Sequence, residues 1–102
     1  MNMGNLMKQA QQFQEKLGTI QEELAGKMVT GTSGGGMVIA TVNGRSELVG
    51  LAIEKEVINP EDAQMLRDLI VAAVNDGLQK AKELSKEEMS KLTGGLNIPG
   101  MF

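Results

Sequence analysis

The sequence predicts an α+β protein with the order helix, three-stranded antiparallel meander, helix. Three observations predict it: a helical apolar stripe near the start, a β-branched and glycine-rich middle, and a second long apolar stripe that follows a proline. We expect helices over about residues 2–25 and 60–92, strands within about 27–57, and a flexible tail over 94–102. The 102 residues are expected to form a single domain.

The first helix is predicted from apolar residues that recur at alternating steps of three and four. Glutamine and glutamate, which are good helix formers, stand between them, and Gly26 is expected to end the helix. A stripe this regular, over a helix roughly 33 Å long, calls for a partner. That partner is the chain's own sheet, the second helix or a symmetric copy. The stripe consists of Met3, Leu6, Ala10, Phe13, Leu17, Ile20 and Leu24.

The middle of the chain contains three runs with strand character, at 28–30, 37–42 and 48–53. Asn43-Gly44 joins the second and third runs and is a strong hairpin signal, whereas the three glycines at 34–36 join the first two loosely. Because side chains alternate along a strand, Val38, Ala40 and Val42 share one face, and Val49, Leu51 and Ile53 share one face of the next strand. The opposite faces are also apolar, which favours a dimer in so short a chain.

The second helix is predicted to begin at Pro60, with Asn59 as its cap. Apolar residues follow at three- and four-residue steps from Ala63 to Leu84, and Gly94-Gly95 is expected to stop the helix. A glycine inside a helix costs about 1 kcal/mol relative to alanine, so Gly77 is expected to mark a close helix approach.

Several function classes are excluded by what the chain lacks. It contains no cysteine and no histidine, so thiol chemistry and the usual base near neutral pH are missing. The glycines at 34–36 lead into a strand without the lysine of a phosphate-binding loop. The carboxylates look like surface charges; Glu87, for example, is spaced to pair with Lys91. We therefore expect no enzyme activity, no cofactor and no metal.

The sequence also lacks the features of a membrane protein or a secreted one. No apolar run approaches the length that spans a bilayer, and the first ten residues do not read as a secretory signal. The expected location is the cytoplasm.

Surface lysines are the remaining candidates for function. Lys8, Gln12 and Lys16 stand four residues apart on the first helix, and Lys82 and Lys86 do so on the second, with Lys80 and Lys91 nearby. Lysine and amide side chains on a helix can contact phosphates with little sequence readout. The net charge of −3 does not exclude this, because salt screens distant carboxylates beyond a Debye length of about 8 Å.

Taken in order, the motifs resemble the YbaB/EbfC family of nucleoid-associated proteins. The resemblance covers essentially the whole chain, and it is the combination of segments that is specific. The segments are Gly4–Gln12, Gly34–Val38, Thr41–Gly44, Leu69–Asp76 and Gly94–Phe102.

The resemblance implies a homodimer shaped like tweezers that binds double-stranded DNA with limited sequence selectivity in the bacterial nucleoid. DNA contact would involve the helical arms, hence Lys8, Gln12 and Lys16, and also Lys82 and Lys86. The alternative is a dimeric adaptor for replication or recombination proteins. The residues expected in the core or the dimer interface are Leu6, Phe13, Leu17, Ile20, Val38, Val42, Leu51 and Ile53.

Overall fold

A computed structural model describes residues 2–93 and confirms the predicted order of elements. The helices are α1 (Met3–Gly26) and α2 (Ala63–Leu92), and the strands are β1 (Met28–Ser33), β2 (Val38–Asn43) and β3 (Leu48–Ile53). The strands form one antiparallel sheet in the order β1-β2-β3, so β2 is central and the other two are edges. The predicted helix stop at Gly94-Gly95 and the predicted flexible tail lie outside the described residues.

Each end of α1 follows from local chemistry. Asn2 caps the start, since its Oδ1 accepts the backbone N–H groups of Gly4 at 3.0 Å and Asn5 at 3.4 Å. The helix ends at Gly26, as predicted, and the N–H of Lys27 donates to the carbonyl of Leu24. The chain then turns directly into β1.

The β2–β3 hairpin is where predicted, but its turn differs from the two-residue turn that Asn-Gly favours. Asn43 is the last residue of β2, and its buried Oδ1 accepts the N–H groups of Arg45 and Glu47, both at 3.0 Å. Ser46 takes the left-handed conformation at φ 64°. Glycine is required at position 44 for close packing and not for the turn conformation, because a Cβ there would stand 2.7 Å from the Leu24 carbonyl oxygen. The turn is thus shaped by packing against α1.

The start of α2 lies three residues later than predicted. Pro60–Asp62 form a single 3-10 turn, capped by Asn59, whose Oδ1 accepts the N–H of Glu61 at 3.0 Å. Asp62 has non-helical backbone angles and provides a second cap, since its Oδ1 accepts the N–H of Met65 at 3.2 Å. Two caps in succession therefore move the true helix start to Ala63.

The core lies between α2 and one face of the sheet. Val38, Ala40 and Val42 are fully buried there, as their alternation predicts. The close approach expected at Gly77 occurs, although its partner is Gly31 of β1 rather than another helix. At this point the two backbones touch with no side chain between them.

Strand β3 is left largely uncovered. Leu51 pairs across the sheet with Ala40, which is completely buried, yet Leu51 itself is 41% exposed because α2 lies over β1 and β2. Ile53, opposite Val38, is half-buried. A bulge pairs Val42 with Leu48 and leaves Val49 without a partner on β2, so the regular alternation predicted for Val49, Leu51 and Ile53 is interrupted at Val49.

Most of α1 projects from the rest of the molecule. We call residues 3–16 the arm; every one of them is exposed. The radius of gyration is 18.9 Å, against about 13 Å for a compact chain of this length. Leu24 is buried, and Leu17 and Ile20 are half-buried. Leu6 and Phe13 are exposed and no described element reaches them, so they are not part of this chain's own core, and their predicted place in a dimer interface stays a prediction.

Candidate nucleic-acid interface

The arm carries one of the two predicted lysine clusters. Lys8, Gln12 and Lys16 are exposed and follow each other at about 6 Å intervals along one side of the helix. Neither lysine forms an ion pair with any residue in the range 2–93. Both ammonium groups are therefore available to an external anion.

The second cluster lies on α2 and is separate from the first. Lys82 and Lys86 are exposed, and at 100° per residue they lie on the side of α2 away from the buried Ala81. Like the arm lysines, they form no ion pair with another described residue. The five predicted residues thus form two separate strips, one on each helix.

A groove separates the arm from the end of α2. It encloses about 670 Å³ and is lined by polar residues of the arm base and by the last turns of α2. Gln12 and Lys16 belong to this lining, so the lower part of the arm stripe faces α2. The other lining residues are Glu15, Thr19, Ile20, Glu88, Lys91 and Leu92.

Glu88 connects α2 to the junction between α1 and β1. Its carboxylate lies 2.8 Å from Lys27 Nζ and 3.4 Å from Lys91 Nζ, and its side chain is only 12% exposed. The hydrogen bond from Lys27 lowers the pKa of Glu88, and the same bond raises the pKa of Lys27. Lys91 contacts Glu88 and not the predicted Glu87, which sequence spacing alone did not distinguish.

Asp76 and Lys80 hold α2 against the outer edge of β1. Lys80 Nζ donates to the carbonyl of Thr30 at 3.0 Å and lies 3.2 Å from Asp76. The N–H of Thr32 donates to Asp76 Oδ2 at 3.0 Å, and this bond, with that of Lys80, lowers the pKa of the carboxyl. Lys80 therefore forms intramolecular contacts, whereas its neighbour Lys82 forms no ion pair with a described residue.

Only one of these two lysine ion pairs could have been predicted from the spacing of residues in the sequence. The i,i+4 spacing of Asp76 and Lys80 is a signal that sequence analysis could have used. The pair formed by Lys27 and Glu88 has no such signal, because 61 residues separate its partners.

Charge is distributed unevenly along the molecule. Between Met3 and Gln14 the only charged residue is Lys8. Residues 54–68, around the start of α2, contain five carboxylates and two cations. The two ends of α2 are about 44 Å apart, several Debye lengths at physiological salt. The acidic end thus has little influence on an anion approaching the arm.

Acid should destabilise the protein through Glu88 and Asp76. Their pKa values lie below the usual 4.5 and 3.8, so the unfolded chain takes up protons first as the pH falls. The stability they contribute is complete above those usual values and is lost as the pH falls through the lower folded values. Urea unfolding at a series of pH values measures this. Glu88→Gln should make the free energy of unfolding fall less steeply at low pH, and Glu87→Gln, the control, should not. Equal pH dependence in the two variants would contradict the assignment to Glu88.

Comparisons with known proteins identify a family, close relatives in sequence and a solved structure of the same fold. The model of the YbaB/EbfC DNA-binding family matches residues 1–96. A nucleoid-associated protein of Caldanaerobacter subterraneus is 54% identical over 99% of this chain and 91% of its own. One of Desulfotalea psychrophila is 50% identical over 99% and 95%. The crystal structure of an uncharacterized protein from Helicobacter pylori superposes with a TM-score of 0.83 at 28% identity, covering 92% of this chain and 99% of that one.

Proposed function

The chain belongs to the YbaB/EbfC DNA-binding family, and from this we propose that it is a nucleoid-associated protein whose helical arm binds duplex DNA. The observation that carries the assignment to the arm is the pair Lys8 and Lys16, exposed and without internal ion partners on a helix that projects from the fold. The role is binding, with no reaction, and the place of action is the nucleoid within the cytoplasm.

The chemistry of the arm favours phosphate contact over base recognition. Ammonium and amide groups in a row match the repeating phosphates of a duplex, and such contacts carry no sequence information directly. Few cations are involved, so binding should be weak and of limited selectivity. Lys82 and Lys86, on the outer side of α2, provide a second strip for a phosphate backbone.

We further propose that the binding unit is a homodimer joined through β3. Leu51 lies beside the core but is 41% exposed, and Leu48 in the same edge strand is 48% exposed. A second copy seated against β3 would bury both of these leucines. Two arms would then be presented to one duplex.

Fluorescence anisotropy of a labelled random duplex, titrated at several salt concentrations, tests the function. We expect saturable binding whose log affinity falls linearly with log salt, with a slope that counts the phosphates contacted. Absence of binding at low salt would contradict the proposal. It would favour the adaptor for replication or recombination proteins, which a partner retained after nuclease treatment would support.

Replacing both arm lysines tests whether the arm is the surface that binds DNA. Lys8→Ala with Lys16→Ala should weaken binding to every duplex alike and reduce the salt slope by about one for each lysine per protomer. The matched control is Lys55→Ala with Arg67→Ala, which removes two positive charges at the acidic end. Equal loss in both double variants would mean that net charge, and not the arm, governs binding.

A further inference from the structure

Helix α1 contains a glycine that its surroundings do not require. Gly18 is exposed in the interior of the helix, and a Cβ built there would meet nothing within 4 Å. Its φ is not positive, in contrast to the glycines at 34–36. Neither packing nor backbone conformation therefore explains glycine at this position, where it weakens the helix more than any other residue except proline.

The next residue, Thr19, weakens the same turn by a different route. Its Oγ1 donates to the carbonyl oxygen of Glu15 at 3.1 Å, and this is the carbonyl that the N–H of residue 19 bonds in a regular helix. A threonine that bonds back to residue i−4 slightly destabilises a helix and often bends it. We call Gly18 and Thr19 the joint. The helix ahead of it is strong, since all residues of 6–17 except Phe13 are good helix formers.

The joint lies at the point where α1 leaves the rest of the molecule. Beyond it, Leu24 is 1% exposed, and its carbonyl oxygen accepts the N–H of Gly44 at 2.8 Å, which fixes the base of α1 to the hairpin. Ahead of it, every residue of the arm is exposed. The groove of about 670 Å³ leaves space between the arm base and the end of α2. The arm can therefore change direction without disturbing the buried core.

We propose that the arm swings on the joint as a rigid rod in the free protein, and that a bound duplex selects one of its orientations. Lys8 and Lys16 both precede the joint and move together, whereas Lys82 and Lys86 stay fixed on α2. An orientation in which both strips reach one duplex makes more phosphate contacts, so DNA raises its population. The selection rests on the proposed function; the swing does not.

Pairs of spin labels measure the swing, because the chain contains no cysteine and can be labelled at chosen positions. Gln11→Cys with Asn75→Cys spans the joint. The matched control is Glu22→Cys with Asn75→Cys, since residue 22 lies beyond the joint on the same side of α1 as residue 11. All three positions are exposed. Excess unlabelled chain restricts the measured distances to one protomer.

Double electron–electron resonance should give a broader distance distribution for the pair that spans the joint. A bend of about 20° moves residue 11, about 10 Å from the joint, by about 4 Å, so we expect at least this much extra width. Gly18→Ala with Thr19→Ala should narrow the distribution to the width of the control pair. Gln14→Ala, a substitution within the arm, should leave it broad.

Two results on the free protein would overturn the swing at the joint. Equal widths for the two label pairs would show that the arm is fixed. A distribution that stays broad in the variant with both joint residues replaced would place the flexibility elsewhere in the chain.

Addition of a random duplex tests the selection. At saturation, verified by anisotropy, the distribution across the joint should narrow while that of the control pair stays unchanged. Saturated binding without narrowing would overturn the selection. Absence of binding would contradict the proposed function and the selection together, and the widths in the free protein would still decide the swing.

Discussion

Gly31→Ala should destabilise the protein by at least about 3 kcal/mol, a large share of the stability of a small domain. A Cβ at this position would overlap the carbonyl oxygen of Ala73 and the amide nitrogen of Gly77. These are backbone atoms of α2, so no side chain can rotate to make room. The helix would have to move off β1 and open the core. The free energy of unfolding in urea, measured by circular dichroism, gives the magnitude.

Two other glycines provide the comparison. Gly18→Ala adds the same methyl group where nothing lies within 4 Å, and it should raise helix stability by about 0.5–1 kcal/mol. Gly77→Ala would meet a side-chain methyl of Val42 at 2.8 Å and the backbone nitrogen of Gly31 at 3.3 Å, contacts less severe than those at Gly31, so its cost should be intermediate. A loss at Gly31 no greater than that at Gly77 would mean that α2 is less closely fixed to β1 than the structure indicates.

Leu51→Asp should convert the proposed dimer into a folded monomer. An unpaired carboxylate in a desolvated apolar contact costs several kcal/mol, so we expect the dissociation constant to rise roughly a hundredfold or more. Sedimentation equilibrium measures this directly. A monomer would also present half the lysines to a duplex, and the salt slope of binding should fall accordingly.

The control places the same charge elsewhere. Ile58 is 54% exposed and lies outside the proposed interface, so Ile58→Asp should leave the association constant unchanged. If Leu51→Asp dimerises as tightly as the unmodified chain, the copies meet on another surface. Circular dichroism distinguishes that outcome from loss of fold.

Local patterns were sufficient to predict most of the fold. The bounds of β3, the end of α1 and the burial of Val38 and Val42 follow from alternation, capping and glycine placement. The start of α2 and the turn after Asn43 were not predicted correctly, because in each a side chain competes with the expected backbone bond. Such competition depends on neighbours that a local pattern does not contain.

Burial along α1 was the least predictable property. The stripe runs unbroken from Met3 to Leu24, yet Leu24 is 1% exposed whereas Leu6 is 45% exposed and Met3 67%. Periodicity defines which face is apolar but not what covers it, since the covering group is distant in sequence. The same limit applies to the lysines: resemblance to a family indicated DNA, while only three-dimensional contacts separated Lys82 from the engaged Lys80.

The attachment of α2 to β1 has a consequence for self-assembly. On this edge strand the outward carbonyl of Thr30 and the outward N–H of Thr32 are already bonded to Lys80 and Asp76. Another chain cannot add a strand there without displacing both side chains. Growth of the sheet is therefore blocked at one end, and only the β3 end can accept a copy. In the proposed dimer, association by two-fold symmetry at β3 closes after two subunits, and this arrangement would protect the chain against open-ended ribbons and filaments.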